Sequence, residues 1–110
     1  MPLVQYGTFS NHLLEQYYQK LSEKQKKAFI WSSAIMELLD GHLNYELLTE
    51  LEDVLAIDNI ANLLLDTPFF EETGDAIVVK NSTYKNILTA SIPQFEKLRV
   101  INFLLKHKTN

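Results

Sequence analysis

The stretch from Ser22 to Gly41 constrains this chain more than any other. It opens on Ser22-Glu23-Lys24-Gln25, a capping box in which a hydroxyl and a Gln side chain satisfy the orphaned N–H groups of a helix start, and it closes at Gly41, a natural C′ residue. Between these limits Ala28, Ile30, Trp31, Ala34, Ile35, Leu38 and Leu39 cover most of a helix circumference, and Phe29 and Met36 take what remains. A helix that is apolar nearly all round is central, so other elements have to surround it. The expectation is a mainly α fold, a compact bundle of about five to six helices in one domain spanning residues 1–110, a length at which a single core suffices.

The rest of the sequence supplies the surrounding pieces. Three glycines and three prolines are too few for a turn-rich β protein. Leu13, Leu14, Tyr17, Tyr18 and Leu21 predict a first helix from about Ser10 to Leu21. Asn44 caps a third helix, Tyr45 to about Ile57, with Leu47, Leu48, Leu51, Val54 and Leu55 as its apolar stripe and Glu46, Glu50 and Asp53 opposite. Asp58 or Asn59 starts a short segment through Leu65, and Thr67-Pro68 reads as a cap with Pro at the first helical position. After the polar break Glu71–Asp75, Ala76–Val79 is the β-branched run, and Leu3–Tyr6 is the candidate partner for a minor two-stranded β element pairing residues 3–6 with 76–79. Ser82 begins a helix to about Ala90. Ser91-Ile92-Pro93-Gln94 repeats the capping-box pattern before a final helix to about His107, with Phe95, Leu98, Ile101 and Leu105 as its inner stripe.

Charge is distributed unevenly along this framework. From Ala28 to Val79, 52 residues contain no Lys or Arg but hold 11 of the 14 carboxylates, so the middle is near −11 and the flanks near +7. The central helix also carries its charges against its own dipole, with Lys24, Lys26 and Lys27 at the positive end and Glu37 and Asp40 at the negative end. Neighbouring elements or an external partner have to compensate. One arrangement pairs Lys24 and Lys27 with acids of the third or fourth segment. The other leaves Glu46, Glu50 and Asp53, at i, i+4 and i+7, as an acidic face for a cationic partner.

Several chemistries are excluded by residue type. The absence of cysteine removes disulfides, thiolate metal sites and a Cys nucleophile. Gly7, Gly41 and Gly74 are isolated, which removes phosphate-cradling loops. His12, His42 and His107 show no spacing that joins one to a serine and an acid, and Asp40, His42 and Glu46 fall in a loop context that argues against a metal. The N-terminal residues do not read as a signal peptide and the longest apolar runs of the sequence fall far short of spanning a bilayer, so a soluble, cytoplasmic protein is expected. Neither a cofactor nor an enzymatic activity is expected.

Tyr18, Leu21, Ser22, Ala28, Ile30 and Trp31, together with Asp66-Thr67-Pro68 and the segment from Ala90-Ser91 to Lys97-Leu98, resemble pieces of the helical carotenoid-binding domain of the orange carotenoid proteins. The resemblance implies a helical fold. Where that family places pigment-contacting aromatics, after the Ile-Trp pair and after the Ala-Ser pair, this chain has Ala34 and Ile92, so it does not imply a bound pigment.

These observations predict an interaction module, an adaptor, regulator or inhibitor acting through its acidic central face on another protein with a basic surface. Candidate partner-binding residues are Glu46, Glu50, Asp53, Glu71 and Glu72, with Phe69 and Phe70 either folded into the core or exposed as anchors. Opposite signs on one molecule also permit a homodimer. Two alternatives remain: a nucleic-acid-associated regulator using a basic patch of Lys20, Lys24, Lys27, Lys97 and Arg99, against which the net charge of −4 argues, and a small helical metal or ligand-binding protein.

Overall fold

The computed structural model describes residues 12–109, which form six helices and a small three-stranded antiparallel sheet. In chain order the elements are α1 (His12–Tyr18), α2 (Glu23–Leu38), β1 (His42–Asn44), α3 (Tyr45–Leu55), α4 (Ile60–Leu65), β2 (Phe70–Thr73), β3 (Ala76–Val79), α5 (Ser82–Ser91) and α6 (Gln94–Thr109). None of these helices is long and apolar enough to cross a membrane.

As the apolar circumference requires, α2 is the central element, with every residue from Ala28 to Met36 buried. Its capping box forms: Ser22 Oγ accepts from Gln25 N–H and Gln25 Oε1 accepts from Ser22 N–H. Its other end departs from expectation by one residue. Asp40, not Gly41, takes the left-handed C′ position at φ 62°, and Gly41 N–H donates to Met36 O at 2.6 Å as the C″ residue of a Schellman turn.

Around α2 the core is knit by edge-to-face aromatic contacts. Phe29 meets Phe70 at 5.7 Å between ring centroids, and Phe69 meets Tyr84 at 5.2 Å and Tyr17 at 6.0 Å. Phe69 and Phe70 are 0% and 2% exposed, so they join α1, α2, β2 and α5 internally and are not surface anchors.

The sheet corrects the strand expectation. Its order is β1-β3-β2, with Phe70 opposite Val79 and Leu43 opposite Ile77. Ala76–Val79 is therefore the middle strand, paired with β2 along its whole length and with β1 from Ala76 to Val78, and the expected partner Leu3–Tyr6 lies outside the described residues. The polar run Glu71-Glu72-Thr73 is itself a strand. It lies at the sheet edge with all three side chains exposed, and Gly74 at φ 60° turns the chain back.

Other boundaries have identifiable causes. The helix α5 begins at Ser82 as expected, and Asn81 caps it, accepting from Tyr84 N–H at 2.9 Å. Ser91 ends α5, its hydroxyl donating to Ile87 O, so the second capping box does not form. Asn59 precedes α4 in the left-handed region without a side-chain cap, and Glu52 Oε2 accepts the Ile60 N–H instead.

Ala56 holds a left-handed conformation at φ 56° at the end of α3, a position that costs an L-residue about 1 kcal/mol and glycine almost nothing. Ala56→Gly is therefore expected to raise unfolding stability by about 0.5–1 kcal/mol, which urea denaturation would measure; a loss of stability would contradict the strain assignment.

Candidate interaction surface

Four of the five inverted charges of α2, Lys24, Lys26, Lys27 and Glu37, find partners inside the molecule. Lys24 Nζ donates to Ala56 O at 3.2 Å, placing a cation on the carbonyl end of α3, where a helix is negative. The compensating group is thus a helix terminus and not the carboxylates foreseen. Lys26 pairs with Glu23 at 3.7 Å and lies over the Tyr18 ring, and Lys27 lies over Trp31 at 5.7 Å. At the other end Glu37 takes Lys97 of α6 at 3.3 Å, an ion pair whose side chains are 26% and 24% exposed.

A second polar contact pins α6. Trp31 Nε1 donates to Glu96 Oε1 at 3.1 Å, while the indole meets Phe103 at 6.0 Å. Glu96 also stands 3.7 Å from Arg99. With Glu96 and Lys97 held against α2, the same rotation turns Val100 (0% exposed), Phe103 and Leu104 inward. The predicted inner stripe is thereby reversed: Phe95, Leu98 and Leu105 are 59%, 54% and 56% exposed, with Ile101 at the margin. The helix carries two apolar faces, and polar anchors choose between them.

Beside the outward stripe lies a groove of about 370 Å³, walled by Ile101, Leu104 and Leu105 of α6, Leu38 and Leu39 at the end of α2, and Asn44 and Leu47 at the start of α3. Leu38 and Leu39 are themselves 38% and 40% exposed. On α3, Glu50 and Val54 follow Leu47 by three and seven residues, so they continue the same margin, with Glu46 and Asp53 one step farther round. Val54, assigned to the inner stripe from its spacing, is 55% exposed. Glu46, Glu50, Asp53, Glu71 and Glu72 are all exposed, and the Tyr45 hydroxyl donates to Glu72, which raises the phenol above its usual value of 10.0, the hydrogen bond being the main cause.

The basic candidates are distributed differently. Lys24 and Lys27 border a cleft with Phe95 and Glu96, so α1, α2 and α6 do converge there, but Glu23 and Glu96 are interleaved with the lysines. Lys20 lies 6.0 Å from the centroid of the Tyr17 ring, and Arg99 lies over Phe95 at 5.6 Å. No grouping of three His, Asp or Glu suited to a metal ion occurs among the described residues. No protein-family model, curated protein or solved structure matches the chain.

Lys97→Met leaves the Glu37 carboxylate half-buried without its cation and is expected to cost about 1–2 kcal/mol, part of which Glu37→Gln in the same chain restores. Thermal melts of the two single variants and the double variant would check this, and additive losses would mean the pair is not coupled.

Proposed function

We propose that this chain is a small protein–protein interaction module, an adaptor or regulator working in the cytoplasm, which engages a partner through the acidic face of α3 and the apolar groove beside it. One observation carries the reading: Phe95, Leu98 and Leu105 along α6, with Leu38 and Leu39 at the end of α2, are five of the six large apolar side chains exposed among the described residues, and the sixth, Val54, lies on α3 two turns beyond the groove residue Leu47. Contiguous apolar surface with polar margins is the usual mark of a docking site, since leaving it in water costs about 25 cal/mol per Å². Glu46, Glu50 and Asp53 are exposed on α3, the helix that lends Leu47 to the groove, and favour a partner with a cationic rim, attracting it at long range and fixing its register. Inhibition of a nucleic-acid-binding surface is one form such a role takes. The nucleic-acid alternative draws less support, because Lys24, Lys27, Lys97 and Arg99 each have an internal contact.

Capture from native extract tests the reading. The protein is expected to retain a partner that Leu98→Asp and Leu105→Asp each release, and that weakens as salt rises or when Glu46 and Asp53 are reversed to Lys. Retention indifferent to all of these changes would show that this face is not the docking surface.

A further inference from the structure

The two margins of the apolar strip bear opposite charge. On α3 the groove wall is Leu47, and the exposed acids Glu50, Glu46 and Asp53 lie progressively farther round the same helix by their spacing. On the far side of the strip the α6 margin carries Arg99, one turn from Phe95 and stacked on its ring, and Lys106, seven residues on and so on the same face. The strip is thus apolar apart from the exposed Asn102 between Leu98 and Leu105, acidic along one side, and on the other carries Arg99, which is 3.7 Å from Glu96, and Lys106.

From this arrangement we infer that the occupant of the face is a second copy of the same chain, related by a two-fold axis running along α6. Such an axis exchanges left and right margins while setting the strips against each other, so the α3 acids of each copy meet the Arg99 margin of the other, twice over. A two-fold axis crossing α6 at right angles would oppose acid to acid and base to base, so charge selects the parallel arrangement of the α6 helices. From Phe95 to Leu105 the strip spans about three helical turns, roughly 15 Å, and the two copies bury Leu98 and Leu105 against their equivalents. The inference rests on this face being a docking surface and adds which partner fills it.

The geometry permits a charge-swap experiment on the full chain by sedimentation velocity at low salt. The unaltered protein is expected to sediment as a dimer that dissociates several-fold more readily at high salt. Leu98→Asp is expected to be a monomer with an unchanged circular dichroism spectrum, Leu98 being more than half exposed. The Glu46→Lys, Asp53→Lys double variant and the Arg99→Glu variant each place like charges together at both contacts and are expected to associate at least tenfold more weakly. An equimolar mixture of those two is expected to recover a heterodimer, because both contacts then join opposite signs. A monomeric unaltered protein overturns the inference, as does a dimer indifferent to Leu98→Asp or a mixture that fails to recover. Extract capture that still depends on Leu98 and Leu105 in a monomeric protein would place a different partner on the face and leave the docking reading standing.

Discussion

Everything in this fold follows from the burial of α2. Nine consecutive residues, Ala28–Met36, are removed from water, so each neighbouring element has to present apolar surface to one helix from a different direction. The aromatic ring contacts of Phe29 bind one side, through Phe69, Phe70 and Tyr18, and Trp31 binds another through Phe103. Ser32 and Ser33 are buried with them, and the Ser33 hydroxyl is satisfied by Phe29 O one turn earlier at 2.9 Å.

Burying a helix this completely also dictates where its ends find charge compensation. Lysines at a positive terminus and an acid at a negative one oppose the helix dipole, and solvent alone would leave that mismatch uncorrected. The neighbours correct it. The carbonyl end of α3 receives Lys24, and α6 supplies Lys97 to Glu37. The second of these contacts, with Trp31 to Glu96, fixes the rotation of α6 about its own axis, and that rotation leaves Phe95, Leu98 and Leu105 facing water. The exposed strip is a consequence of how the central helix is electrostatically satisfied.

Much of this was legible in the residues, and the misses share a cause. The capping box at Ser22, the Asn44 cap and the burial of Trp31 are local or strongly periodic signals, and each appears as expected. The inner face of α6 is not legible from spacing, because Phe95, Leu98, Ile101 and Leu105 and the set Val100, Phe103 and Leu104 both recur at helical spacing; only contacts to residues some sixty positions away decide between them. The edge strand Phe70–Thr73 was hidden because three of its four side chains face solvent and carry no apolar alternation. The acidic row on α3 was visible from spacing alone, but its position beside an apolar groove depends on where α6 comes to rest.

The central claim, that polar anchors turn the Leu98 face outward and the Val100 face inward, is tested most directly by thiol labelling. The chain contains no cysteine, so Leu98→Cys, Leu105→Cys and Val100→Cys each introduce one thiol. In dilute solution, where any self-association is reversed, residues 98 and 105 are predicted to label at the rate of an exposed thiol and residue 100 far more slowly. Fast labelling at 100 with protection at 98 and 105 would contradict the account.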